Sequence, residues 1–272
     1  MSHAPSLERH ATKKRFGQHF LHDPGILGKI VHAIAPRRGD DVVEIGPGDG
    51  ALTLPLLREL GKLTVIELDR DLVPRLRAAA EGVGELTIIN EDVLGVDLSA
   101  LAGGKRLRVV GNLPYNISSP LLFWVATAST GLIDCHFMLQ KEVVDRMAAP
   151  PGSKTYGRLS VMIQYRFRVE KLFDVPAGAF RPAPNVESAF VRLVPHASLP
   201  LDASAERLLS ALVAKAFSQR RKTLRNALRE FASEAELGAL GVESRLRPEN
   251  LSVETYIRLA RFAADRAHAR GA

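Results

Sequence analysis

Between residues 41 and 140, five short apolar runs alternate with helix-like stretches; the runs are Asp41–Ile45, Leu63–Leu68, Leu86–Asn90, Leu107–Val110 and His136–Leu139. Strands separated by helical crossovers run parallel, because an antiparallel return needs only a hairpin. The expected fold is therefore α/β, with a mainly parallel sheet and right-handed crossovers. Two later runs, Arg158–Val169 and Val186–Val194, flank a segment holding Pro176, Pro182 and Pro184, and they are expected to pair antiparallel at one sheet edge. After Pro195 strand formers thin out and Ala, Leu, Arg and Glu dominate, which predicts a small all-α domain over 198–272 behind a larger one over 1–197. A chain of 272 residues is long enough for both cores. Its 46% apolar and 25% charged residues exclude a disordered chain. The longest apolar stretch, Leu121–Ala126, falls far short of the ~20 residues that span a bilayer. No apolar leader follows Lys13, Lys14 and Arg15, and Cys135 is the single cysteine, so neither secretion, an internal disulfide nor a cysteine-held zinc is expected. These features fit a cytoplasmic protein without a metal.

The first strand runs directly into Gly46-Pro47-Gly48-Asp49-Gly50-Ala51. Glycines there let the backbone turn tightly and approach a ligand. Gly46, Gly48 and Ala51 satisfy both the dinucleotide pattern and that of the methyltransferases, so the turn alone does not choose between them. Glu67 closes the second strand, where a carboxylate can accept from two ribose hydroxyls in either class. Asp92 follows the third strand at the same carboxyl edge, and a carboxylate there can accept from an adenine amino group.

The fourth strand delivers Asn112-Leu113-Pro114-Tyr115 to that edge. An adenine amine is a poor nucleophile because its lone pair is delocalised into the ring. Two acceptors for its N–H groups, the Asn112 side-chain oxygen and the Leu113 carbonyl, would favour a pyramidal nitrogen and free the lone pair. Tyr115 would stack on the base. Hydride transfer has no use for this arrangement.

Four ordered segments carry a resemblance: Lys14-Arg15-Phe16-Gly17-Gln18-His19-Phe20-Leu21, the turn beginning Glu44-Ile45-Gly46, Asn112–Tyr115, and Phe180-Arg181-Pro182-Ala183-Pro184-Asn185-Val186-Glu187-Ser188-Ala189. Together they resemble the ribosomal RNA adenine dimethyltransferase family, and within it the bacterial small-subunit enzymes more than the antibiotic-resistance methylases of the large subunit. The resemblance implies a Rossmann-like fold dependent on S-adenosylmethionine, with His19, Leu21, Gly46, Gly48, Glu67, Asp92 and Asn112 lining the cofactor site. It also implies that Phe180 joins Tyr115 in holding a flipped adenine, and that ribosomal RNA in a small-subunit particle is the partner of a monomeric enzyme. Many relatives carry Asn where this chain has His19. A ribosome-assembly factor with secondary catalysis is the rival from another class.

The chain is basic, with 37 Lys and Arg against 30 Asp and Glu, and residues 196–272 supply +4 of the net +7. From Lys215 to Arg229 the run holds six cations, including Arg220, Arg221, Lys222 and Arg225, and no carboxylate. The spacing of Phe217, Leu224, Leu228 and Phe231 predicts one helix that buries an apolar face and presents these cations to RNA phosphates. Trp124 and Met138 are expected in the core.

Overall fold

The computed structural model describes residues 19–218 and 222–271. In chain order the elements are β1 (Phe20–Leu21), α1 (Pro24–Ile34), β2 (Val42–Ile45), α2 (Thr53–Leu60), β3 (Lys62–Ile66), α3 (Val73–Ala80), β4 (Glu85–Ile89), α4 (Leu98–Ala102), β5 (Leu107–Asn112) and α5 (Ser118–Thr127). They continue with β6 (Leu132–Gln140), α6 (Lys141–Met147), α7 (Arg158–Arg166), β7 (Phe167–Val175), β8 (Phe180–Arg181), β9 (Ser188–Pro195), α8 (Ala203–Ser218), α9 (Leu224–Ala227), α10 (Glu234–Ala239) and α11 (Val253–Gly271).

The main sheet has the order β4-β3-β2-β5-β6-β9-β7, and β2 is hydrogen-bonded in parallel to both β3 and β5. The pairs β3–β4 and β5–β6 are parallel as well. The chain thus builds outward from β2 to β4, then returns to build the other way from β5. Such a reversal opens a crevice beyond the carboxyl ends of β2 and β5, where open α/β sheets hold ligands. The approach of these two strands is close. A Cβ built on Gly111 would lie 2.6 Å from the Ile45 carbonyl oxygen, a separation real side chains do not reach.

Opposite that crevice, at the amino end of β5, Arg108 is 8% exposed and is ringed by acceptors. Its Nε and Nη2 donate to the two oxygens of Asp134, at 2.9 and 3.2 Å, and Nη1 donates to Asp40 at 2.9 Å. Nη2 also donates to the Ile34 carbonyl at 2.6 Å, so the guanidinium satisfies the C-terminal end of α1. The other end of α1 is capped by Asp23, which accepts from the Ile26 amide, with Pro24 at the first helical position.

The chain folds into two compact units. The first takes residues 1–121, 131–141 and 172–190 and holds an apolar cluster that includes Leu21, Ile30, Leu56, Val65, Val110 and Phe180. The second takes 122–130, 142–171 and 191–272, where α8 and α11 share a buried cluster with Tyr156, Val161 and Tyr165.

Three expectations need correction. The run beginning at Arg158 is not one strand: residues 158–166 form α7, and the strand starts at Phe167. Leu159, Val161, Ile163 and Tyr165 alternate as a strand would, yet Val161 and Tyr165, four apart, both enter the helical cluster. Ser160 Oγ closes the helix start by accepting from the Gly157 amide, so burial and capping override the local alternation. The strand portions that remain, β7 and β9, are neighbours at the sheet edge. The Lys215–Arg229 run is likewise not a single helix. α8 ends at Ser218 and a four-residue α9 starts at Leu224. Trp124 is only half-buried.

Candidate active site

A cavity of about 330 Å³ sits at the strand reversal. Its wall includes His19, Leu21, Gly46, Gly48, Glu67, Asp92, Asn112, Leu113 and Tyr115, so residues from 19 to 115 of the chain converge on one volume. β2 ends in the glycine turn, whose Gly46 amide donates to the Ile66 carbonyl at 2.9 Å. Gly48 adopts φ +61°, and a Cβ there would meet the Phe20 ring at 2.9 Å; the position therefore demands glycine on both counts. Glu67 is 6% exposed and ties the turn to β3, with Oε2 accepting from the Gly48 amide at 3.2 Å and Oε1 from Asp69 at 2.7 Å. Burial raises its carboxyl above the usual range, and those backbone donors oppose the rise. Beyond these backbone donors the carboxylate keeps acceptor capacity for ligand hydroxyls. Asp92 is exposed at the cavity mouth, with one oxygen engaged by the Leu94 amide at 3.0 Å.

Asn112 ends β5 and donates from Nδ2 to the His19 carbonyl at 2.9 Å. A carbonyl only accepts, so the amide nitrogen must face His19, and Oδ1 is the end left to meet a donor in the cavity. Leu113 is anchored through its own amide to the Met138 carbonyl at 3.1 Å. The Tyr115 hydroxyl lies 2.5 Å from Ser188 Oγ, and its ring is stacked on His19 with centroids 5.3 Å apart. The His19 Nδ1 lies 2.8 Å from the Pro182 carbonyl, which makes Nδ1 the protonated nitrogen and orients the imidazole.

Phe180 does not join this wall. It is 1% exposed, pairs through its backbone with Leu21 in the small β1–β8 sheet, and its ring lies in the apolar cluster. The aromatic ring beside Tyr115 is His19 instead. Arg220, Arg221 and the Lys13–Arg15 arm lie outside the described residues. Lys222 is exposed, and Arg225 reaches Glu234 at 3.4 Å. Lys215 is paired with Glu230 at 2.7 Å, so acids beyond the run fold back upon its cations.

Three acids of the wall escaped sequence reasoning: Glu44, Asp49 and Glu91. Glu44 had a signal, being an acid inside Val42–Ile45, a strand of a parallel sheet whose residues are all buried. Met138, expected only in the core, is 1% exposed and also borders the cavity. Among the described residues the wall carries Glu44, Asp49, Glu67, Glu91 and Asp92 and no Lys or Arg. Such a wall repels the pyrophosphate of a dinucleotide and suits a cationic ligand.

Residues 9–265 match the ribosomal RNA adenine dimethylase family. The chain belongs to that family. It is 56% identical over 255 residues to "Ribosomal RNA small subunit methyltransferase A" of Laribacter hongkongensis, covering 93% of this chain and 97% of that protein. Among solved structures, a dimethyladenosine transferase from Plasmodium falciparum superposes with a TM-score of 0.77 at 27% identity, covering 89% of this chain and 96% of that one. The 23S rRNA methyltransferase ErmE superposes with a TM-score of 0.72 at 26% identity, covering 90% and 99%. This rRNA adenine dimethylase is therefore an S-adenosylmethionine-dependent enzyme with a Rossmann-like fold, and the dinucleotide alternative is closed. The charged residues of the wall, all acids among those described, fit S-adenosylmethionine, whose sulfonium and ammonium outweigh its one carboxylate. Replacing Glu67 by Ala is expected to weaken its binding by about 1.5–3 kcal/mol through lost charged hydrogen bonds. Calorimetry on the folded variant checks this, and unchanged affinity would remove Glu67 from the ribose site.

Proposed function

We propose that this enzyme dimethylates the N6 amines of adjacent adenines in small-subunit ribosomal RNA, acting as a cytoplasmic monomer on a small-subunit particle. The observation that carries the chemistry is the Asn112 amide, fixed by His19 so that Oδ1 faces the cavity beside Tyr115. S-adenosylmethionine supplies an electrophilic methyl group. Asn112 Oδ1 and the Leu113 carbonyl accept from the two N–H groups of the target amine, which favours a pyramidal nitrogen and aims its lone pair at the methyl carbon. The ammonium formed is acidic enough to lose its proton to water, so no strong base is needed. Tyr115 stacks on the base, with its ring held by Ser188 and His19. Glu67 holds the ribose, and Asp92 the adenine, of the methyl donor.

The choice of RNA rests on the relatives named for the small subunit, which share more than half of their residues with this chain over nearly its whole length. No described helix is long and apolar enough to cross a membrane. RNA contact is assigned to residues 198–272, through Lys222 and Arg225 together with Arg220 and Arg221. An unpaired loop adenine is the cheaper target, because extracting a base from a duplex costs a few kcal/mol. After the first transfer only one N–H remains, so Asn112 and the Leu113 carbonyl cannot both be satisfied and the second transfer is slower.

The test incubates the protein and labelled methyl donor with immature small-subunit particles, large-subunit RNA and free adenosine, followed by nucleoside analysis. Dimethyladenosine is expected in the small-subunit RNA. Its confinement to large-subunit RNA would reject this substrate. No methylated adenosine despite donor binding would favour an assembly factor.

A further inference from the structure

Glu44 takes no part in the chemistry above, yet its position is costly. It lies two residues before Gly46 in β2, is 2% exposed and borders the cavity. Its Oε2 has no well-formed hydrogen bond among the described residues, and the one side-chain donor near enough to act on the carboxyl is the fully buried hydroxyl of Thr53 on α2. The strands flanking it present Val65 and Val110 at its own level. The charged groups that act on it are acids: Glu67 at the end of β3 and Asp49 in the turn. A buried carboxylate with one weak donor and no counter-ion is costly to keep ionised, so such a group keeps its proton instead. Burial pushes the Glu44 carboxyl up to about 8, with Glu67 and Asp49 adding to the rise and Thr53 opposing it.

The reaction brings a cation into this cavity and leaves none behind. S-adenosylmethionine carries a net charge of about +1 near neutral pH, while S-adenosylhomocysteine has lost the sulfonium charge and is neutral overall. A positive charge within a few ångströms favours the ionised form of a carboxyl. We propose that Glu44 exchanges a proton with solvent in step with ligand charge: neutral in the free enzyme, ionised when the cationic methyl donor is bound, and neutral again beside the thioether product. This rests on the cavity being the donor site. The atoms balance over one turnover. The S–CH3 bond breaks with its electron pair staying on sulfur, N6 gains the methyl and yields a proton to water, and Glu44 recovers from solvent the proton it gave up on binding. The site thereby prefers fresh donor to spent product through one ionisable group, and product loses its counter-ion as it forms.

Because binding releases a proton, donor affinity rises with pH below the carboxyl's own value and levels off above it. Titration calorimetry in two buffers of different ionisation enthalpy counts that proton. The parent enzyme is expected to release close to one proton per S-adenosylmethionine at about pH 7 and none with S-adenosylhomocysteine, which shares the amino-acid end and so subtracts its contribution. The donor association constant should rise up to tenfold per pH unit from about pH 6 and flatten near pH 8, against a flat profile for the product. Glu44→Gln should release no proton with either ligand. No release by the parent overturns the proposal, and release that persists in Glu44→Gln moves the role to Asp49 or Glu67. If that variant does not fold, difference infrared spectra of the parent decide, since the protonated-carboxyl band must vanish on donor binding and return with product. Unfolding of the free protein gives a readout without ligand. A carboxyl raised from about 4.5 to about 8 binds more protons folded than unfolded, so it lowers stability as pH rises through that window. The parent should lose more stability between about pH 6 and pH 8 than Glu44→Gln does. A failure of the site reading looks different: Glu67→Ala would then leave donor affinity unchanged while the unfolding difference persists.

Discussion

Replacing Asn112 by Ala lowers the single-turnover rate of methyl transfer by roughly 100- to 1,000-fold, the usual loss when one group aimed at developing charge is removed. RNA affinity barely moves. The asymmetry follows from when the contact is strongest. On the proposed mechanism Oδ1 meets an amine that is flat in the ground state and becomes pyramidal and positive as the new bond forms, so the acceptor would stabilise the transition state more than the bound base. Its aim depends on the 2.9 Å hydrogen bond from Nδ2 to the His19 carbonyl, which an Ala cannot make. Donor affinity should be measured in the same variant, because Asn112 also borders the donor. Near-parental turnover with donor and RNA saturating would mean that another residue orients the amine.

Arg108→Ala is expected to destabilise the fold by about 3–5 kcal/mol, because it leaves Asp134, 1% exposed, as a buried charge without its main counter-ion. The Ile34 carbonyl at the end of α1 loses its donor in the same step. Denaturant unfolding at neutral pH measures the loss. Exchanging Arg108 and Asp134 together for apolar residues should recover much of it, since a buried ion pair is worth far less than the cost of breaking it. A single variant within about 0.5 kcal/mol of the parent would show that water reaches Asp134.

The parallel strands were legible because each is a short apolar run ended by a polar or glycine residue, as in Val42–Ile45 before Gly46. The site was legible for the same reason: once β2, β3 and β5 are parallel, their carboxyl ends share an edge, and Gly46, Glu67 and Asn112 stand together without any long-range information. What failed depended on contacts distant in sequence. Leu159 to Tyr165 alternates like a strand but is helical because its buried partners lie in α8 and α11. Phe217, Leu224 and Leu228 have helical spacing, yet Thr223 is extended ahead of α9, so they lie on two helices, and all three still reach one core. Phe180 sits in a recognisable segment, but letters do not say which way a ring points. Pairing with Leu21, 159 positions earlier, decides that.

The contact between Gly111 and the Ile45 carbonyl bears on how this catalytic geometry persists through mutation. Gly46 follows one of these strands directly and Asn112 follows Gly111 on the other, so on the proposed mechanism the gauge between methyl donor and acceptor amine is set where two backbones touch with a hydrogen atom between them. One added methyl group at position 111, itself on the cavity wall, would wedge that gauge open while leaving Glu67, Asp92 and Asn112 in place. The most damaging substitution in such an enzyme can therefore be one that leaves every functional group in the cavity intact.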